Sequence, residues 1–182
     1  MFLKGIYHFT FDTEDNSYYT FSLNVQLFIK SIDTESPAYK SGLRVNYKLV
    51  EVNGAPTRDK SYNEVIQLIS KVSHRITLSV IKFKRITVKI PPSMSSFGLS
   101  IGHAKENNFK MVIKVEHYLP GDLYGIKESD IIFEIDGKDI RFYDMNTIRA
   151  ILSASLKRRE AEFLVLNYND FSMLISDGYT FE

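Results

Sequence analysis

Residues 49–54 read Leu-Val-Glu-Val-Asn-Gly, and residues 132–137, 83 positions later, read Ile-Phe-Glu-Ile-Asp-Gly. The same shift, without a gap, also aligns Pro37 with Pro120, Gly42 with Gly125, Leu43 with Ile126, Val65 with Ile148 and Leu68 with Ile151. Solenoid repeats have periods of roughly 20 to 50 residues, so a longer period indicates a duplicated domain of about 80 residues.

The pattern around each copy of this stretch predicts short strands and one long helix. The Asn-Gly and Asp-Gly pairs suit tight turns that need positive φ. Ser61 can cap a helix, and in the second copy the corresponding helix is expected from Asp144 to about Ser153. The predicted fold class is α+β, mainly β. Each copy forms a small, partly open antiparallel barrel or sandwich with one long and one short helix.

These boundaries predict three segments. Residues 1–83 form the first domain, residues 84–167 form the second, and residues 168–182 form a C-terminal tail.

The composition excludes several classes of protein. With 44% hydrophobic and 25% charged residues, the 182-residue chain resembles a soluble globular protein. The absence of cysteine excludes disulfides and thiolate metal sites and favours a cytoplasmic location. A net charge of +1 makes nucleic acid an unfavourable partner. No catalytic constellation, metal-ligand spacing or cofactor motif is recognised, so a non-enzyme without cofactors is predicted.

The order of these motifs resembles the PDZ domain family. In the first copy the resemblance is carried by Ser36-Pro37-Ala38, Gly42-Leu43 and Leu49-Val50-Glu51-Val52-Asn53-Gly54. In the second copy it is carried by Pro120-Gly121-Asp122-Leu123, Gly125-Ile126, Glu134-Ile135-Asp136-Gly137 and the loop Ser96-Phe97-Gly98-Leu99. A tandem PDZ protein without a catalytic domain is therefore expected.

The resemblance implies a groove in which a C-terminal peptide adds as a strand to a sheet edge beside the long helix. In the second copy the residues expected to bind the peptide are Phe97, Gly98, Leu99, Ser100, Ile101, Met145, Arg149 and Leu152. Met145 stands where a histidine would select Ser or Thr two residues before the peptide terminus, so an apolar preference is expected there. Arg149 replaces a small apolar residue, which leaves open a partly filled pocket or a preference for a polar or acidic group.

In the first copy the same alignment gives Tyr19, Thr20, Phe21, Ser22, Leu23, Tyr62, Ile66 and Ile69 as peptide-binding residues. Thr20 occupies the position of the loop glycine, and a β-branched residue resists positive φ. A functional groove and a packing or dimerisation module both remain open for this copy.

The predicted function is a non-catalytic adaptor or scaffold that binds the C-terminal tails of other proteins, chiefly through the second domain. The alternative is a structural interaction protein with degenerate grooves that acts through homotypic PDZ contacts or through its tail. Lys157-Arg158-Arg159 is predicted to be a solvated turn, which limits membrane contact to peripheral binding of anionic headgroups.

Overall fold

The computed structural model describes residues 5–13, 21–72, 74–104 and 109–181. Contacts between residues divide the chain into two compact units, Met1–Lys82 and Phe83–Glu182. The second unit therefore includes residues 168–181, although the sequence predicts that residues 168–182 form a tail outside both domains.

The described elements of the first unit are six strands and two helices. In chain order they are β1 (Tyr7–Asp12), β2 (Phe21–Leu23), β3 (Ile29–Ile32), α1 (Pro37–Lys40), β4 (Lys48–Val52), β5 (Ala55–Pro56), α2 (Tyr62–Ser70) and β6 (Arg75–Ile81). One sheet has the order β1-β6-β4-β5, and β2 pairs with β3 in a second sheet. Ser61 caps α2 through a reciprocal capping box with Glu64, which fixes the start of this helix.

The second unit has the same succession of elements followed by one more helix. Its described elements are β7 (Lys84–Lys89), β8 (Leu99–His103), β9 (Lys110–Val115), α3 (Pro120–Leu123), β10 (Ile131–Ile135), β11 (Lys138–Asp139), α4 (Met145–Arg158), β12 (Glu160–Leu166) and α5 (Tyr168–Ser176). The strand order is β7-β12-β10-β9-β8, and β11 pairs with β10.

Four strand pairings are shared by the two units, whereas the pairing of β9 with β10 is described in the second unit only and there joins all the strands into one sheet. The partners β1-β6, β4-β6, β4-β5 and β2-β3 correspond to β7-β12, β10-β12, β10-β11 and β8-β9, and all are antiparallel. Both units are mainly β, with open sheets rather than closed barrels. The long helix of each packs over an apolar core that includes Val65 in the first unit and Ile148 in the second.

The helix α4 is longer than its sequence pattern predicted, because it continues to Arg158 instead of ending near Ser153. No glycine or proline interrupts this part of the chain. The hydroxyl of Ser155 is buried, and it donates to the Ile151 carbonyl and to the Asp136 carboxylate, which ties the last turns of the helix to the β10–β11 turn.

The helix α5 covers the sheet face of the second unit that points away from α4. Ile132 and Ile135 of β10 belong to the core beneath α4, whereas Phe133 packs with its ring centroid 6.5 Å from that of Phe171 in α5. We call the aromatic residues on this face the C-terminal aromatic cluster: Phe83, Phe109, Phe133, Phe171 and Phe181. Residues 168–181 are thus part of the folded second unit.

Candidate functional site

In the second unit, β8 and α4 border a partly exposed apolar surface. Leu99 and Ile101 of β8 and Met145 and Leu152 of α4 are all partly buried and pack against the same core cluster. The strand β8 is the last in the described strand order, so its outer edge has no strand partner within the described sheet. We call this surface the second groove.

The side chains of α4 separate into a core face and a groove face. Ile148 and Ile151 are buried, as their spacing predicted. Met145 and Leu152 border the second groove. Arg149 is exposed, and its Nη1 donates to Asn146 Oδ1 at 3.1 Å, so its guanidinium lies one turn towards the start of the helix.

The loop before β8 is held by hydrogen bonds at each of its last residues. The Gly98 N–H donates to Ser96 Oγ at 2.8 Å, and the Phe97 carbonyl accepts from the Gly121 N–H at 2.8 Å. The Gly98 carbonyl accepts from the Glu116 N–H at 2.9 Å. Phe97 is buried, and its ring packs edge-on against Phe163. The loop therefore has a defined conformation at the end of β8.

Glycine is required at position 98 for two reasons. Its φ is +71°, in the region that L side chains rarely adopt. A Cβ built there would also lie 2.4 Å from Leu119 Cβ, at the start of α3. Gly121 allows a similar close approach from the other side, because a Cβ there would lie 2.4 Å from Leu99 Cδ2. In the sequence, Gly121 is only part of the Pro120-Gly121-Asp122-Leu123 motif, which does not reveal this packing role.

The corresponding surface of the first unit is more closed. Phe21 and Leu23 of β2 are only 8% and 7% exposed, and Ile69 of α2 is 3% exposed in the core. Tyr62 donates its hydroxyl to the Leu23 carbonyl at 3.4 Å, which links α2 directly to β2. Ile66 is 37% exposed.

Ser22, Tyr19 and Thr20 are the other predicted binding residues of the first unit. Ser22 is exposed, and its hydroxyl lies 2.6 Å from that of Ser31 on the neighbouring strand β3. Tyr19 and Thr20 lie outside the described residues. The described part of the first unit therefore brings together Phe21, Leu23, Tyr62 and Ile69.

Of the three cations at residues 157–159, Arg158 and Arg159 contact other residues of the second unit. Arg158 pairs with Asp136 at 2.5 Å. Arg159 donates to the backbone carbonyls of Ile90, Pro91 and Met94. Lys157, Arg158 and Arg159 are all exposed, as predicted for a solvated segment, but Lys157 and Arg158 belong to α4 instead of a turn.

Two titratable groups near the second groove have shifted pKa values. The hydrogen bond from the Thr147 N–H lowers the pKa of Asp144, the residue that caps α4, and so favours its charged form at the positive end of the helix. Burial lowers the pKa of Lys110 on β9, whose Nζ donates to the Arg141 carbonyl at 3.2 Å. Both groups are hydrogen-bonded to backbone groups close to the start of α4.

The described residues contain no group of three or more His, Asp or Glu side chains that could hold a metal ion. Among the helices in this part of the chain, none is long and apolar enough to cross a membrane.

Comparison with known proteins gives a match in the first unit. Residues 28–82 match the family model of the PDZ domain. The matched PDZ region runs from the residue before β3 to the end of β6, so it includes α2 but begins after β2 and the predicted loop at residues 19–21. The second unit lies outside this match.

A curated relative matches the chain over a similar length. Rho GTPase-activating protein 23 of Mus musculus is 37% identical over 54 residues, which is 30% of this chain and 4% of that protein. Because the alignment covers so little of the relative, its activity is not transferred to this chain. A PDZ domain is a protein-interaction module, so the matched region indicates a role in protein binding.

Proposed function

We propose that the chain is a non-catalytic adaptor whose second unit binds the C-terminal peptides of partner proteins. The second groove carries this proposal: four partly buried apolar side chains from β8 and α4 pack against one core, and the outer edge of β8 has no strand partner within the described sheet. The succession and pairing of elements shared with the first unit support a PDZ-like second domain.

The free edge of β8 offers backbone groups to an added strand. An extended peptide would pair with residues 99–103, and its alternate side chains would face α4. Leu99 directly follows Gly98 and Met145 is the first residue of α4, so we infer that Leu99 and Leu152 receive the last peptide side chain and that Met145 receives an earlier one. This arrangement fits an apolar last residue and a second apolar residue two positions earlier.

The loop at Gly98 fits a terminal carboxylate. A carboxylate can accept hydrogen bonds from several backbone N–H groups. A residue with positive φ helps to point successive N–H groups towards one place. The Gly98 N–H donates to Ser96 Oγ, and the Ser96 side chain could rotate away when a carboxylate binds. The carboxylate would therefore replace an internal acceptor.

Two exposed cations favour acidic side chains elsewhere in the peptide. Arg149 lies on the helix side of the groove, and Lys114 lies on β9 directly opposite Ser100 of β8. Peptide side chains that point away from α4 would pass over Ser100 and Lys114. We therefore infer that the peptide prefers Asp or Glu at a position whose side chain lies near Arg149 or near Lys114.

The test is selection of hexapeptides randomised at their last four positions, using the full chain. We expect enrichment from a pool of peptides with free terminal carboxylates. From the same pool prepared as C-terminal amides, we expect recovery to be lower by a factor of about ten or more. Leu152→Glu should abolish enrichment, whereas Ile66→Glu in the first unit should preserve it. Equal recovery of the two pools, or loss only with Ile66→Glu, would contradict the proposal.

A histidine at the start of α4 should change selectivity. Met145→His is expected to raise the preference for Ser or Thr over Val two residues before the peptide terminus by about tenfold, because the imidazole can hydrogen-bond a hydroxyl. A peptide array measures this ratio, and Asn146→His is the matched control on an exposed neighbouring position. Unchanged selectivity in Met145→His would refute the role given to Met145.

For the first unit we propose a packing role instead of peptide capture. The hydrogen bond from Tyr62 to the Leu23 carbonyl uses an acceptor that an added strand would need. The burial of Phe21, Leu23 and Ile69 leaves little apolar surface for peptide side chains. The Ile66→Glu control described above tests this proposal too, because a peptide-binding first unit would lose recovery.

A further inference from the structure

Arg159 follows α4 in a backbone conformation that usually belongs to glycine. Its φ is 60° and its ψ is 24°, in the left-handed region. Glycine is favoured at this position after a helix, because a residue with a Cβ is strained there. The contacts of the arginine side chain offset that strain.

The guanidinium of Arg159 binds several carbonyls of one loop. Its Nε donates to the Ile90 carbonyl at 3.1 Å, and its Nη2 donates to the Met94 carbonyl at 2.8 Å and to the Pro91 carbonyl. The backbone carbonyl of Arg159 accepts in turn from the Ile90 N–H at 2.8 Å. A planar guanidinium can hold several acceptors at fixed angles, which a lysine ammonium does less well.

The loop held by Arg159 leads directly to Gly98. Within the loop, the Met94 N–H donates to the Pro91 carbonyl at 3.0 Å, and the Met94 side chain packs against the core of the second unit. The far end of the loop is fixed by the bonds of Phe97 and Gly98 already described. Arg159 therefore fixes the other end of the loop, which directly follows β7.

We propose that Arg159 is a positioning residue for the carboxylate-binding loop. It fixes residues 90–94 to the end of α4, the same helix that contributes Leu152 to the groove. The Gly98 loop and the apolar wall of the groove thereby keep a constant separation before a peptide binds. This inference rests on the proposed function and names the residue that preorganises its site.

The loop position can be tested without any peptide. Arg159→Gly removes the guanidinium but suits the left-handed backbone, so the fold should persist. In the full chain we expect amide hydrogen exchange at Gly98 and Leu99 to become about tenfold faster, with exchange in β10 unchanged. Lys157→Ala is the matched control for loss of a cation from the same segment. Unchanged exchange at Gly98 and Leu99 in Arg159→Gly would overturn the proposal.

A binding measurement separates positioning from a general structural effect. The probe is fluorescein-labelled Gly-Ser-Glu-Val-Ser-Val, prepared with a free carboxylate and as an amide, and read by fluorescence polarisation. We expect Arg159→Gly to reduce the affinity ratio of carboxylate to amide by about tenfold, and Arg159→Lys to restore part of it. A reduced active fraction would weaken both forms equally and leave the ratio unchanged.

The two measurements distinguish the possible failures. If the wild-type chain does not discriminate between the two probe forms, the proposed function fails, and hydrogen exchange alone decides whether Arg159 fixes the loop. If exchange accelerates while the affinity ratio stays at its wild-type value, Arg159 has only a structural role and the positioning proposal is wrong.

Discussion

Replacing Phe171 by alanine is expected to lower the free energy of unfolding of the second unit by about 3 to 5 kcal/mol. Phe171 is 3% exposed, and its ring centroid lies 5.0 Å from that of Phe109 and 5.5 Å from that of Phe181. Its removal would leave a cavity between α5 and the sheet, which the neighbouring packed rings cannot easily fill. Urea denaturation monitored by hydrogen exchange in β10 and β12 measures the loss for this unit.

The control for Phe171→Ala is Met173→Ala in the same helix. Met173 is 43% exposed, so its truncation removes few buried contacts and should cost below about 1 kcal/mol. An equal, small effect of the two substitutions would mean that α5 contributes little to the second unit. A large difference would mean that the second unit needs residues 168–181 for its stability.

The prediction of a tail at residues 168–182 came from the absence of a counterpart in the first copy. A helix signal was nevertheless present, because Asn167 caps α5 by accepting the Asp170 N–H at 2.9 Å. The surface that α5 covers could not be read from sequence. Phe83, Phe109 and Phe133 come from separate segments, and only strand pairing brings them to one face.

The strands and tight turns were more predictable, because their signals are local. Asn53 and Gly54 have φ values of 50° and 78°, and Asp136 and Gly137 have 52° and 72°, as the turn residues implied. The repeated stretch at residues 132–135 lies within β10, in agreement with the short strands predicted around it.

The faces of α2 were harder to assign than the turns. Leu68 and Ile69 lie on either side of Val65 around the helix, at i+3 and i+4, so periodicity alone could not separate core from groove. The resemblance places Ile69 among the peptide-binding residues. Ile69 is 3% exposed, and Leu68 is only partly buried at the edge of the same core.

The predicted groove residues of the second copy required a different kind of signal. Leu99, Ile101, Met145 and Leu152 come together around one core, although each alone reads as an ordinary core residue. Their placement followed from the resemblance. The sequence identifies Ser96 only as part of the loop motif and does not indicate its hydrogen bond to Gly98. The contacts of Arg159 have no sequence signal, because every residue has a backbone carbonyl that can accept a hydrogen bond.

Substituting Gly98 by alanine is expected to weaken binding of the free-carboxylate probe by at least about thirtyfold. The left-handed backbone costs about 1 to 2 kcal/mol for any residue with a Cβ, and overlap with packed neighbours adds about 1 to 3 kcal/mol. At Gly98 both costs apply, since φ is +71° and the new Cβ would lie 2.4 Å from Leu119 Cβ. The loop must therefore move, and its N–H groups would no longer converge on a carboxylate.

Gly137→Ala is the matched control for Gly98→Ala in the same unit. Its φ is +72°, but nothing lies within 4 Å of the added Cβ, so it carries the backbone strain without the overlap. We expect Gly137→Ala to lower stability by about 1 to 2 kcal/mol and to leave the affinity ratio of carboxylate to amide unchanged. Fluorescence polarisation of both probe forms, after NMR spectra verify folding, gives that ratio. If Gly98→Ala binds the carboxylate probe as well as Gly137→Ala does, displacement of the Gly98 loop has no effect on binding. The loop would then not be the part of the protein that binds the carboxylate.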